Sequence, residues 1–404
     1  SWVISDMTDL PDAISFAKLR FSLAKVGKDA LPHRIGSYYN PGGNFPFGGV
    51  LGYEQSTTYG DPNLRPEFTN TTEYGADIRF LKNRLGIDFT YYKAISKDLI
   101  TSVPVSNTTG KARFVTNAGS IENHGIEILL TTRPIKTKKF SWDFDVNYTK
   151  AEGKVLEIAD GIEAIEYYGG GYTGIVSKLV KGGKIGDLWG RKYGRAPSGE
   201  LLIGSDGFPK RVDTLTVAGN AMPNFVAGFN NTLHFGDFSI SALLEWKSGG
   251  DLVDLSYRNS ARNGLLKDTE LRYAEVIFDG VVETGDPSNP TYEKNTKPVE
   301  IYGGNFYRSS DRFNRAAEIL IQDGSWVRLR SVTVGYALPT NFLRSVNIAK
   351  ANISLTATNL FLNTPFRGYD PETNFFGSGS NILGYTGLKT PGTKSYTLSL
   401  GLTF

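Results

Sequence analysis

The sequence predicts an all-β chain, the C-terminal part of a 22-stranded antiparallel transmembrane β-barrel with short periplasmic turns and long extracellular loops. Three observations predict it. In the last twelve residues, Tyr396, Leu398, Leu400, Leu402 and Phe404 alternate with Ser395, Thr397, Ser399, Gly401 and Thr403. A strand sends alternate side chains to opposite faces, so this one is apolar outwards and polar inwards, as the closing strand of an outer-membrane barrel is. The same alternation recurs along the chain, and the connections alternate between tight turns and long loops.

Composition agrees. Of 404 residues 40% are hydrophobic, and a barrel reads as polar on average because half of each strand faces a wet lumen. No apolar run reaches the roughly 20 residues of a membrane-spanning helix. Aromatics make up 12%, with 21 Tyr and 24 Phe, beside 46 Gly, which suits pleated surfaces, interfacial girdles and turns. The absence of cysteine excludes disulfide frameworks, thiolate metal sites and Cys nucleophiles. A net charge of +3 without a basic tract suggests no nucleic-acid partner. The chain opens on Ser1-Trp2-Val3-Ile4-Ser5, read as the tail of a strand already under way, with an N-terminal part expected ahead of it.

Taken in order, Leu19, Phe21 and Leu23 share one face of the first full strand, and a Gly/Pro/Tyr/Asn-rich loop without periodicity covers about 27–66. A strand near 70–80 turns at Leu81-Lys82-Asn83-Arg84 into one carrying Leu85, Ile87, Phe89 and Tyr91 against Gly86, Asp88 and Thr90. A strand is expected over 113–132, then a turn at 136–139, then Trp142, Phe144, Val146 and Tyr148 opposite Asp143, Asp145 and Asn147. Acids inside a strand are costly in a dry core and cheap on a hydrated lumen. The region 150–222 is ambiguous, with strand character at 175–180, 185–193 and 200–203, and must contribute an even number of strands for the parity to close. A strand carrying Phe225–Phe235 turns at Gly236-Asp237 into Phe238, Ile240, Ala242, Leu244 and Trp246. After an irregular segment at 249–315, Val327 and Leu329 give way to Val332, Val334 and Tyr336 on the opposite parity, so a bulge is expected at Arg330-Ser331. A strand with Ile353, Leu355 and Ala357, a loop at 362–392 and the final strand complete about eleven. That is half of the largest plugged barrels, and the piece alone would leave two free edges.

The residues also carry a family resemblance. Lys18-Leu19-Arg20-Phe21-Ser22, Gly60-Asp61-Pro62-Asn63-Leu64-Arg65-Pro66-Glu67 and Asn117-Ala118-Gly119-Ser120-Ile121-Glu122-Asn123-His124-Gly125-Ile126-Glu127 come first. Trp326-Val327-Arg328-Leu329-Arg330, Gly335-Tyr336-Ala337-Leu338-Pro339, Ala357-Thr358-Asn359-Leu360-Phe361, Gly368-Tyr369-Asp370-Pro371-Glu372 and the terminal Phe404 follow. In that order they resemble the C-terminal half of SusC/RagA-type TonB-dependent transporters of Bacteroidetes outer membranes. The resemblance implies a nutrient importer, not an enzyme, taking oligosaccharides or oligopeptides, with a passive or adhesive outer-membrane barrel as the alternative. It implies a SusD-like surface lipoprotein as a lid, energy from a TonB complex through an N-terminal part ahead of residues 1–404, and outer-membrane lipid around the wall. Phe404 resembles the terminal aromatic that marks such chains for assembly. The family's Asp/Asn/Gly-rich cation loop is reduced here to Ser205-Asp206-Gly207-Phe208, so no metal is expected, and no cofactor.

Candidate chemistry is sparse. His33, His124 and His234 lack ligand spacing. Asp143 and Asp145 share a face, as the two acids of a glycosidase do, but read better as lumen acids. Gly169-Gly170-Gly171 and Gly182-Gly183 read as flexible loops, without the strand–loop–helix setting of a phosphate site. The better substrate candidates are loop aromatics, whose faces stack on sugar C–H groups. They are Tyr38, Tyr39, Phe45, Phe47 and Tyr53, then Tyr167, Tyr168 and Tyr172, then Phe306, Tyr307, Tyr369, Phe375 and Phe376. The alternative is that they pack loops or meet the lid. Lys18, Arg20, Arg328 and Arg330 are expected to line the lumen or to touch a plug.

Overall fold

The computed structural model describes residues 1–404 apart from 44, 45, 47, 172, 271, 287, 340–342, 344–347 and 378. Eleven strands form one antiparallel sheet in chain order. They are β1 Trp2–Val3, β2 Ile14–Lys28, β3 Glu67–Phe80, β4 Leu85–Lys97, β5 Gly119–Lys136 and β6 Phe140–Ile158. β7 Pro223–Phe235, β8 Phe238–Gly249, β9 Trp326–Ala337, β10 Lys350–Asn363 and β11 Ser395–Thr403 follow. Each strand pairs with its chain neighbours, so one end of the sheet carries the turns 81–84, 137–139 and 236–237 and the other carries the long loops. Gly236 has φ +57, the conformation a two-residue hairpin turn demands at its first position.

Two adjacent rows across the sheet show why this sequence makes a wall. One row, through successive paired positions of β2 to β9, reads Leu19, Ala76, Phe89, Ile128, Tyr148, Ala227, Trp246 and Val327. The neighbouring row reads Lys18, Asp77, Asp88, Leu129, Asn147, Gly228, Glu245 and Arg328. The period of two runs through eight strands, with Leu129 the one large apolar side chain in the second row, so one face is apolar and the other polar. The apolar face is uncovered by protein: Leu398 is 71% exposed and Leu400 63%. It is edged by aromatics at two heights. Phe140, Phe235, Phe238 and Tyr336 are successive cross-strand partners near the turn end, with Phe238 and Tyr336 at 4.5 Å. Tyr148, Phe225 and Trp246 form the other rim, at 5.4 and 4.7 Å. The eight residue steps from Phe238 to Trp246, tilted by about 40°, rise about 21 Å, close to the apolar band of an outer-membrane barrel.

Bulges keep the faces in order. Between β8 and β9 the pairing steps from Leu243–Ser331 to Leu244–Leu329, leaving Arg330 as the extra residue. Arg328 and Arg330 therefore both point to the polar face, while Leu329 and Val332 stay on the apolar one. In β5 the register shifts between Thr132 and Ile135, where Pro134, having no N–H for the ladder, is tolerated.

The region 150–222 contributes no separate strand to the wall; β6 pairs directly with β7, which keeps the parity. Two expectations are corrected. The strand expected over 113–132 is broken at the buried Ala118: Arg113–Asn117 joins a small sheet with Thr58–Gly60 and Ile100–Pro104, and only β5 belongs to the wall. The segment 249–315, read as irregular, is not: Leu252–Asp254 lies between Ile321–Gln322 and Tyr385–Thr386. The ambiguous strand character at 175–180 and 185–193 resolves into Val176–Val180 and Asp187–Gly190, which form a four-stranded sheet with Ala164–Tyr168 and Thr216–Asn220. Helix α1, Leu255–Arg262, starts from Asp254, whose side chain accepts from Tyr257 N at 2.9 Å. Strands of two to five residues are too short to show a period, and the partners of Leu252–Asp254 lie tens of residues away.

Candidate functional site: a polar wall joined to a folded loop body

The polar face of the wall is a set of compensated charges. Asp77 and Asp88 are direct cross-strand partners, an arrangement that repels unless countered. Arg20 supplies the counter-charge with two hydrogen bonds to Asp88, one at 2.8 Å, and a third to Thr90 at 3.2 Å. Arg79 takes Asp77 at 3.0 Å, and Arg133 takes Asp143. Lys18 and Arg20 thus face the lumen as the alternation required. So do Arg328 and Arg330.

Those last two arginines join the wall to the loop 364–394. Arg328 donates to Asp370 at 2.6 Å and lies 3.0 Å from Glu372, and its side chain is 5% exposed. Arg330 grips Glu372 with two bonds at 2.6 and 2.9 Å and also binds Glu245 of β8. Asp370 further accepts from the backbone N–H of Glu372 and of Gly392, which folds the loop around it. The Gly368–Glu372 motif is therefore the loop's fastening to the wall.

Above the wall the loops have a hydrophobic core of their own. Ile175 and Leu188 from 159–222, Val253, Leu255, Ala317 and Leu320 from 250–325, and Tyr385 from 364–394 pack as one buried cluster. Tyr385 donates to Ile175 O at 2.7 Å, and burial raises its hydroxyl's pKa. The run read as a flexible glycine loop is a tight turn in this body. Gly170 has φ +79, its carbonyl accepts from Thr173, and a Cβ there would meet Ile175 O at 2.6 Å.

The predicted aromatic candidates do not converge. Tyr38, Tyr39 and Tyr53 are exposed on a small hairpin, Tyr39–Pro41 with Tyr53–Gln55. Tyr168 packs edge-on against Phe376 and Tyr385, at 5.0 and 4.9 Å, and Phe375 meets Phe376 at 5.0 Å. Phe306 and Tyr307, each 8% exposed, sit in a second loop core with Phe208 and Phe313 and border a cavity of about 480 Å³. Tyr167 borders another, of about 340 Å³, beside Glu67 and Ile100. Tyr369 points to solvent next to the fastening just described, and Phe404 is 86% exposed just beyond β11. Phe45, Phe47 and Tyr172 lie outside the described residues. At Ser205–Phe208 both oxygens of Asp206 are engaged, by Phe208 N at 3.1 Å and Arg312 at 2.9 Å.

Sequence reasoning missed a further group. Tyr273 and Tyr302 stack at 6.0 Å and 29° on the loop surface. Beside them the segments around 202–213, 282–283 and 304–312 enclose a cavity of about 920 Å³. Only the Ser205–Phe208 motif pointed to that place.

A lipid-facing belt between two aromatic rims, a charged inner face and loops massed at one end define a large outer-membrane β-barrel. The chain belongs to the family described as "TonB dependent receptor-like, beta-barrel", which matches residues 14–360, and its place is the outer membrane. It is 27% identical over its whole length to TonB-dependent receptor P26 of Formosa agariphila, of which it covers 42%. It is 24% identical to TonB-dependent receptor SusC of Bacteroides thetaiotaomicron, again over its whole length and 39% of that protein. The solved RagAB peptide transporter shares the fold, with a TM-score of 0.70 at 17% identity over 98% of this chain and 42% of that one. The SusC/RagA resemblance of the sequence is thereby borne out. The chain spans about two fifths of the length of these relatives.

Proposed function

We propose that this chain is the barrel wall and loop body of a TonB-dependent importer of oligomeric nutrients, and that it carries out no chemical conversion. The observation that supports this best is the joining of a polar wall to a folded loop body by the Arg328/Arg330 cluster. A simple pore has no need to hold its loops as a packed receptor. SusC and the RagAB transporter, to which the chain is similar, are consistent with it. Inactivating the TonB complex should abolish uptake of the protein's oligosaccharide or oligopeptide as completely as deleting its gene does. Uptake that persists without TonB would favour a passive barrel.

The lid partner of this reading is a SusD-like surface lipoprotein docked on the loop 29–66. That loop exposes Leu31, Ile35, Tyr38, Tyr39, Val50, Leu51 and Tyr53, a concentration of large apolar side chains typical of an interaction surface. Tyr38, Tyr39 and Tyr53 then serve docking and not substrate. Tyr39→Asp with Leu51→Asp should cut co-purification of the lipoprotein at least about tenfold, since central aromatic anchors contribute roughly 2 kcal/mol or more. Heat-modifiable migration of the barrel should be unchanged. Undiminished co-purification would move the lid elsewhere.

A further inference from the structure

The cavity of about 920 Å³ is lined chiefly by polar and charged residues. Of its apolar residues Ile203 and Phe208 are withdrawn, only 2% and 6% exposed, while Leu202 and Val282 are half-buried. Its charged residues are matched in pairs. Arg312 bonds Asp206 at 2.9 Å, Arg211 bonds Asp311 at 2.9 Å, and Lys210 lies 3.7 Å from Glu283. Asp213, 3.7 Å from Arg211, adds one more acid. Three cations against four acids leave the wall near neutral and slightly negative.

The stacked tyrosines adjoin this wall directly. Asn305, which lines the cavity, accepts from Tyr302 N at 2.9 Å. A Cβ added to Gly304, another lining residue, would meet the Tyr302 ring at 2.9 Å, so glycine lets the ring lie against the wall. Tyr273 is 70% exposed and Tyr302 39%.

We infer that the Tyr273/Tyr302 platform and the adjoining cavity form a subsite for a neutral oligosaccharide, an assignment that rests on the importer reading above. A pyranose has an apolar C–H face and a rim of hydroxyls. The face stacks on an aromatic ring, and each hydroxyl both donates and accepts. A wall of paired guanidinium and carboxylate groups, with lone pairs and N–H groups left over, matches that rim. A polyuronate or sulfated glycan meets a net negative wall instead. A peptide finds little apolar lining for its side chains, only Leu202 and Val282 being partly open.

The full-length transporter, in detergent, would be titrated with four probes: neutral α- and β-linked hexaoses of glucose, of xylose and of mannose; an oligogalacturonate hexamer; a sulfated hexasaccharide; and a mixed heptapeptide library. The expected result is binding of at least one neutral hexaose, weakened about tenfold or more by Tyr302→Ala and by Glu283→Ala, with outer-membrane insertion unchanged. Both residues are surface-accessible, so loss of folding is detectable separately by heat-modifiable migration. No binding of any neutral hexaose, a preference for the acidic or peptide probes, or unchanged affinity in Tyr302→Ala overturns the subsite. TonB-dependent uptake of a peptide with no glycan binding would overturn the subsite and leave the importer reading intact. Glycan binding that responds to Tyr302→Ala, together with TonB-independent uptake, would do the reverse.

Discussion

Arg328→Ala should detach the loop 364–394 from the wall while leaving the wall itself assembled. The Arg328 and Asp370 side chains are 5% and 7% exposed, so deleting the cation strands a carboxylate away from water. Removing one partner of a buried ion pair typically costs about 3–5 kcal/mol. The neighbours cannot absorb the loss, because Arg330 is already committed to Glu372 and Glu245. The penalty falls on the loop, since β9 keeps its backbone partners in β8 and β10. Limited proteolysis and hydrogen exchange over 368–392 should accelerate by two orders of magnitude or more, at about 1.4 kcal/mol per factor of ten. Heat-modifiable migration should persist. The double change Arg328→Met with Asp370→Leu should restore much of the protection, because swapping a buried pair for apolar residues is often neutral. A single variant with wild-type protection would remove the fastening role assigned to the cluster.

The wall was legible in the sequence and the loop body was not, for a common reason. The wall's information is local: Leu398, Leu400 and Leu402 state their facing within five residues, and the parity switch after Leu329 marks the bulge at Arg330. The turns 81–84 and 236–237 are local as well. The loop body is built from non-local pairings, such as Val253 with Ile321 and with Tyr385, made by segments too short to have a period. Aromatic content alone could not separate Phe306 and Tyr307, which are buried, from Tyr369, which is not. Their surroundings differ, not their sequence signals. The Tyr273/Tyr302 pair escaped notice because its members are 29 positions apart and only a fold brings them face to face. The acids of the wall were readable in kind, as lumen residues, but the partners that neutralise them, Arg20 for Asp88 and Arg133 for Asp143, depend on register.

Leu400→Arg should impair assembly into the outer membrane, whereas Ser399→Arg should be tolerated. The two positions are adjacent in β11, and the pleat sends them to opposite faces. Leu400 pairs with Ile353 in the apolar belt, and Ser399 pairs with Ser354 on the polar face. Leu400 lies between Tyr396 and Phe404, within the apolar belt, where an arginine costs up to about 2–4 kcal/mol. β11 has a single strand partner among the described residues, β10, so few neighbouring contacts offset the penalty. Ser399→Arg instead places its guanidinium on the face that already carries Arg20, Arg328 and Arg330, where water and carboxylates solvate it. The ratio of folded to unfolded barrel on a heat-modifiable gel should fall at least about thirtyfold for Leu400→Arg, the lower end of that range, and by less than about threefold for Ser399→Arg. Equal losses would mean that β11 does not present one face to lipid. The lipid-facing row from Leu19 through Trp246 rests on the same period of two, and it would have to be reassigned as well.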